Sequence, residues 1–297
     1  MEIRVLEYFL AVAQEESILG AANFLHLTQP TLSRQMKELE EEIGKPLFIR
    51  GQRRITLTEE GILLRKRAGE ILALVRKTEN ELTSLEDTIS GDIYLSASEM
   101  DAFRFFAIAA ERLRKKHPGI HFHFYTGNGH AATEQLDNGL VDFSILIEPA
   151  NVSRYNYLFQ PAAEVCGIML RTDSPLAQKA ALTPDDLRDV PLIVPELFME
   201  QDFFAKWMGV MPEQLNIVAT GDSPYNAAWL AAEGIGNVVC LNFELLVGDA
   251  GSRLCFRPLD PPLTSGVYLV WKKYQVFSRA AELFLKELRG ALAQPEN

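Results

Sequence analysis

A mainly α N-terminal unit built as a winged helix-turn-helix, a long coiled-coil helix, and an α/β region of two Rossmann-like lobes form the architecture this sequence predicts. Three patterns predict it. Apolar residues recur at helical spacing as far as Ile43, a heptad ladder follows from Leu64, and strand-like and helix-like segments alternate from Asp92 onward.

The first helix is read over Ile3 to Gln14, where Val5, Leu6, Phe9, Leu10 and Ala13 share a face. Ser17 caps a second helix over Ile18 to Leu25, with small Ala21 and Ala22 inside it. A short turn at His26-Leu27 leads to Thr28 as cap and Pro30 in the first turn of a third helix. Its buried stripe is Leu32, Met36, Leu39 and Ile43, and Gly44 ends it, so Gln29, Ser33, Arg34 and Lys37 point outward. LFIRGQRRITL brackets Gly51 and a basic tip with strand formers, which reads as a hairpin wing.

Thr58, Glu59 and Glu60 open a long helix whose ladder is Leu64, Ala68, Ile71, Val75, Thr78, Leu82, Leu85 and Ile89, stopped by Ser90-Gly91. Such a seam implies a partner helix and hence a dimer. Beyond it, IYLSAS, HFHFY and FSILIE read as strands separated by helical stretches, and a second set follows from VCGIMLR to NVVCLN. Alternation of this kind indicates a mostly parallel sheet. The expected boundaries are 1–58 for the winged unit, 59–90 for the linker helix, 91–161 with 267–297 for one lobe, and 162–266 for the other.

At 297 residues the chain has room for about two domains, and its 47% hydrophobic and 23% charged composition is globular. No segment is apolar enough to span a bilayer, and MEIRVLEYF lacks the basic head of a signal peptide, so a cytoplasmic protein with no membrane partner is expected. The net charge of −11 argues against nucleic-acid binding only on average, because Lys45, Arg50, Arg53, Arg54, Arg65, Lys66 and Arg67 face only Glu59 and Glu60 within residues 45–67. Cys166, Cys240 and Cys255 sit among strand formers and read as core residues, not a disulfide framework or redox pair. His121 and His123 alternate on one strand with His130 nearby; no metal site is assigned to them. Trp207, Trp229 and Phe203 read as core aromatics.

No phosphate loop, zinc-protease helix or serine nucleophile elbow is present, and Gly234-Ile235-Gly236 precedes a strand instead of opening a helix. An enzyme fused to a DNA-binding head is therefore disfavoured. An architectural DNA-binding protein without ligand is the other alternative; polar Ser96, Ser98, Thr126 and Asn128 at strand ends count against it.

Residues 1–61 resemble the DNA-binding head of LysR-type transcription regulators. The likeness is carried by Phe9, Ala21-Ala22, Leu25, the TQPTLSRQ segment, Leu39-Glu40, Gly44, Leu47-Phe48 and Leu57-Thr58-Glu59-Glu60-Gly61. It continues more thinly through LRTDSPLAQKAALTPDDLRDVPLI and LAAEGIGNVVCL, with Asn242 standing where relatives often have proline. The resemblance implies a recognition helix with Thr28, Gln29, Pro30, Thr31, Ser33, Arg34 and Lys37 at DNA, and Arg50, Arg53 and Arg54 on the wing against phosphate or minor groove. It implies double-stranded DNA with an inverted-repeat promoter site as partner, a homodimer and further a homotetramer, with RNA polymerase a candidate partner. The lobes would resemble type 2 periplasmic binding proteins and hold an unidentified small-molecule effector, with no other cofactor. Carried onto this chain, effector contacts fall on Ser96, Ser98, Glu99, Met100, Thr126, Asn128, Ile147, Glu148, Pro195, Glu196, Thr220 and Ser223. Carboxylates of Glu99, Glu148 and Glu196 in that cleft would favour a cationic, amino-bearing or hydroxylated ligand.

Overall fold

The computed structural model describes residues 1–51, 54–83, 89–148, 150–200, 202–242 and 253–293. They form two compact units, 1–83 and 84–297.

In the N-terminal unit, helices α1 (Ile3–Glu15), α2 (Ile18–Phe24) and α3 (Gln29–Ile43) precede strands β1 (Phe48–Arg50) and β2 (Ile55–Leu57) and helix α4 (Glu59–Thr83). The boundaries follow local chemistry. Ser17 Oγ accepts the Gly20 N–H at 3.1 Å to start α2, and Gly44 ends α3 at φ +74°, where a side chain would be strained. Leu6, Phe9 and Val12 of α1 meet Leu32, Met36 and Leu39 of α3 in a shared core, and Ala21 and Ala22 are small enough to let α2 approach. The wing is a short antiparallel pair with Phe48 opposite Leu57. Phe48 turns inward to Phe9, ring centroids 5.3 Å apart.

The ladder on α4 divides. Leu64 and Ala68, with Leu72, pack into the core of this same unit, whereas the rungs Ile71, Thr78 and Leu82, with neighbouring Leu74, remain exposed and Val75 is half-buried. The first rungs therefore serve the head's own fold and only later ones are free for a partner helix. Leu85 lies outside the described residues, and Ile89 lies outside the helix, packed against the core of the second unit.

The second unit opens with β3 (Gly91–Ala97), α5 (Phe103–Lys116), β4 (Ile120–Thr126), α6 (Gly129–Asp137) and β5 (Phe143–Ile147). Strand β6 (Tyr155–Arg171) leads to α7 (Pro184–Leu187), β7 (Leu192–Val194), α8 (Glu196–Glu200), α9 (Phe203–Met208), β8 (Ile217–Thr220), α10 (Pro224–Ala232) and β9 (Asn237–Leu241). The chain returns through β10 (Leu254–Pro258) and β11 (Thr264–Lys272) to α11 (Arg279–Ala293). Hydrogen bonding runs β4-β3-β5-β11-β6-β9-β7-β8, with β10 also on β6. β3 pairs in parallel with β4 and β5, and β7 with β8 and β9, but β5-β11, β11-β6, β6-β9 and β6-β10 are antiparallel. The sheet is thus mixed, not mostly parallel, because the chain crosses between the lobes twice and the crossing strands run against their neighbours. At 17 residues, β6 belongs to both lobes, its first half on β11 and its second on β9 and β10. Gly167 permits this crowding: a Cβ there would sit 2.4 Å from the Arg257 carbonyl oxygen.

Cys166 and Cys240 are buried and Cys255 half-buried. Burial pushes the Cys166 thiol up to about 12, which leaves it protonated and unreactive at neutral pH. Trp207 stacks on Phe204 and donates its indole N–H to the Pro261 carbonyl at 2.8 Å, and Phe203 stacks on Phe198. Trp229 departs from the expected core position: it is 56% exposed on α10.

Candidate nucleic-acid interface and ligand cleft

Helix α3 begins with Thr28, whose Oγ1 accepts the Thr31 N–H at 3.4 Å, and Pro30 follows in the first turn. Leu32, Met36 and Leu39 anchor one face in the core, so Thr28, Gln29, Pro30, Thr31, Arg34 and Lys37 are left exposed; Ser33 is half-buried at the edge of that face. Arg34 lies 3.7 Å from Glu38 and Lys37 3.3 Å from Glu41, each one turn on. Pairs this exposed are worth under about 1 kcal/mol and give way to a phosphate or base edge. No carboxylate occurs on α3 before Glu38, so its N-terminal half, where the helix dipole is positive, is free of negative charge.

The wing is held to α3 by a glutamate in the last turn of that helix. Glu40 Oε1 accepts the Leu47 and Phe48 N–H groups at 2.7 and 3.2 Å. Thr58 Oγ1 accepts the Gly61 N–H at 3.0 Å and donates to the Pro46 carbonyl at 2.8 Å, tying the start of α4 to the same loop. Arg54 is exposed and 3.4 Å from Glu16. Arg53 lies outside the described residues, as does the side chain of Arg50 at the end of β1.

In the second unit two adjoining cavities open where strand ends of both lobes meet. The larger, about 290 Å³, is lined by Ser98, Asn128, His130, Arg154, Tyr155, Glu196 and Asp222 among others. The smaller, about 80 Å³, runs against Ile193, Phe198, Ala227, Val238 and Leu241, with Glu99 and Asp222 also on its wall. Of the expected effector residues, Ser98, Glu99, Asn128, Ile147, Pro195 and Ser223 line the smaller cavity and Glu196 the larger. Ser96 and Met100 are buried instead, and Thr126 and Thr220 are exposed at strand ends outside both cavities. Glu148 is drawn back into the sheet, accepting the Gly266 N–H and the Tyr268 hydroxyl, each at 3.0 Å, so its carboxylate lines neither cavity. Of the histidines, His123 pairs with Asp92 at 2.8 Å and stacks on Tyr94.

Asn128 makes the direct link across the cleft. Its Oδ1 caps α6 by accepting the Ala131 N–H at 3.0 Å, and its Nδ2 donates to Asp222 Oδ2 at 3.0 Å. Asp222 went unassigned in sequence because its partner lies 94 positions away.

Glu164, on β6, is buried, and its carboxylate accepts the Ala102 N–H at 2.6 Å. It thereby holds the start of α5, just after the Ser98-Glu99 lip of the cleft. Burial pushes its carboxyl from the ordinary 4.5 up to about 7; the Ala102 and Asp101 N–H groups oppose the shift and the Asp101 charge reinforces it. The folded state thus keeps a proton that the unfolded chain has lost. Stability from this group is full below about pH 4.5 and falls as pH rises through about 7. Glu164→Gln keeps an acceptor for Ala102 without the charge. It is expected to raise stability by on the order of 1 kcal/mol at pH 8 and change little at pH 5, seen as a flatter dependence of melting temperature on pH. An equal effect at both pH values would refute the assignment.

A winged helix-turn-helix head that presents a capped, acid-free helix end, joined in one chain to a two-lobed α/β unit with an interlobe cleft, defines the class of protein by its fold. The chain belongs to the LysR family: the profile described as LysR substrate binding domain matches residues 86–293, and that of bacterial regulatory helix-turn-helix proteins of the lysR family matches residues 3–62. The transcriptional activator IlvY of Salmonella typhimurium is 32% identical over 149 residues, a match that spans 50% of this chain and 50% of IlvY. AlsR of Bacillus subtilis, a transcriptional regulator, is 29% identical over 242 residues, 80% of this chain and 79% of AlsR. In fold, the chain is similar to full-length CbnR solved with its target DNA, with TM-score 0.77 at 18% identity over 98% of this chain and 100% of that one.

Proposed function

We propose that this protein is a sequence-specific DNA-binding transcription regulator whose binding is set by a small molecule held between the two lobes of its C-terminal unit. The observation that carries the reading is the N-terminal half of α3: an exposed face of Thr28, Gln29, Thr31, Arg34 and Lys37 on a rigidly packed helix. Such side chains reach base edges and phosphates in a major groove, and Pro30 and Thr31 offer apolar surface to base methyls. The partner is double-stranded DNA. Ile71, Leu74 and Leu82, left uncovered on α4, supply the seam of a homodimer, which assembles further into a tetramer. Two-fold pairing of the heads then calls for an inverted repeat with half-sites a helical turn or a multiple of it apart. RNA polymerase is the partner through which transcription would respond. On this reading the chain catalyses no reaction and needs no cofactor beyond the effector. No described helix is long and apolar enough to cross a membrane.

Selection of bound duplexes from a randomised pool by the full-length chain tests the reading. An inverted repeat is expected to emerge within a few rounds. A pool that stays random while still being bound would instead make the protein an architectural DNA binder.

A further inference from the structure

The geometry points to an amphipathic cation as the effector: a protonated amine or guanidine head on a short apolar body. This rests on the cleft being the effector site and adds the ligand's charge and shape.

The charge of the cleft is one-sided. Glu99, Glu196 and Asp222, all exposed, line its two cavities, and the side chains of Glu99 and Glu196 make no hydrogen bond or ion pair with another described residue. The opposing groups are His130 and Arg154. Arg154 is exposed, donates to Asp137 at 3.2 Å and lies over the Tyr155 ring, so three cleft carboxylates stand against it and His130. No lysine or arginine lines the smaller cavity.

At the helix starts that would ordinarily draw an anion, one N–H each is taken by the chain's own acceptors. Helix N-termini facing a cleft attract carboxylates through unpaired N–H groups. Here Asn128 Oδ1 takes the Ala131 N–H of α6, and Ser223 Oγ takes the Asn226 N–H of α10 at 3.4 Å. Asp222 also sits between these two helix starts, bound to Asn128. An incoming carboxylate would meet a resident one, and like charges repel. A cation would instead find Glu99 from one lobe and Asp222 from the other, so binding it adds an attraction across the cleft. Its apolar body fits the slot of Ile193, Phe198, Ala227, Val238 and Leu241, where burial of hydrocarbon supplies affinity.

The test is calorimetric titration of the full-length chain at pH 7.5 with matched probes: phenethylamine and n-hexylamine, the corresponding alcohols, and 3-phenylpropanoate and hexanoate. The amines are expected to bind at least about tenfold more tightly than their neutral and anionic partners, a gap of about 1.4 kcal/mol. Asp222→Asn and Glu99→Gln, both near-isosteric, are each expected to weaken the amines about tenfold and leave the alcohols unchanged, with melting curves confirming that both variants fold. Tighter binding of the carboxylates would overturn the cation and leave the cleft reading standing. Amine binding indifferent to both substitutions would overturn it too, by placing the amines elsewhere. Failure of all three probe classes would count against both the cation and the cleft as effector site, leaving the DNA-binding reading to its own selection experiment.

Discussion

Replacing Gly61 by alanine is expected to lower the stability of the N-terminal unit by about 2–4 kcal/mol, although glycine-to-alanine changes inside helices ordinarily stabilise by up to about 1 kcal/mol. The reversal comes from one contact. A Cβ on Gly61 would stand 2.2 Å from the Leu47 carbonyl oxygen and 3.1 Å from Leu57 Cδ2. The carbonyl has no freedom to retreat, since it accepts the Thr58 N–H at 3.0 Å while the Leu47 N–H is held by Glu40. Relief would separate the start of α4 from the wing and release those hydrogen bonds, each worth about 1 kcal/mol net. Thermal unfolding followed by circular dichroism checks this: a drop of several degrees in the transition of the head is expected, and an unshifted transition would refute the contact.

Arg34→Ala is expected to act oppositely, leaving the fold intact and removing function. Arg34 is exposed, its one ion pair is the 3.7 Å contact with Glu38, and it supports no core residue. Stability should therefore change by less than about 0.5 kcal/mol. Loss of a bidentate contact to a base edge costs about 1–3 kcal/mol, so affinity for the selected duplex should fall by about 10- to 100-fold while affinity for scrambled duplex hardly moves. Mobility shifts on both duplexes at two salt concentrations separate the roles. If Arg34 touches only phosphate, both affinities fall together and the salt slope drops by about one. Unchanged preference for the selected duplex would remove Arg34 from the reading surface.

How much of this was legible in the sequence differs between the two units. In the head, several boundaries have a local cause: Ser17 and Thr28 as caps, Pro30 in a first turn, Gly44 as terminator. Each helix carries its own apolar stripe, so the elements and the outward face of α3 could be read directly. The ladder on α4 was legible as a stripe but not as a division of labour, because Leu64 and Ala68 look the same whether they face their own head or a second chain. In the α/β unit the strands around Ser96, Phe143 and Val238 stood out, whereas the first half of β6 did not, since Pro161 interrupts it and proline ordinarily breaks strands. The cleft was harder still. Asp222 and Asn128 become neighbours only when two lobes close on each other, and Glu148 loses its place to a hydrogen bond from Gly266 that no local pattern announces.

The burial of Leu64, Ala68 and Leu72 in the core of the head makes α4 an axle and not a tether. A flexible tether would let each reading helix search for its half-site independently. A rigid axle fixes the phase between the outward stripe at Ile71, Leu74 and Leu82 and the reading face of α3, because every residue along the helix turns the stripe by about 100°. One residue inserted after Leu72 would leave the head intact but turn Leu74 and Leu82 away from Ile71 and from the reading face, whereas seven would restore their direction to within about 20° at the cost of a longer reach. On the proposed two-fold reading, the spacing of half-sites the protein would recognise is written as an angle in one helix.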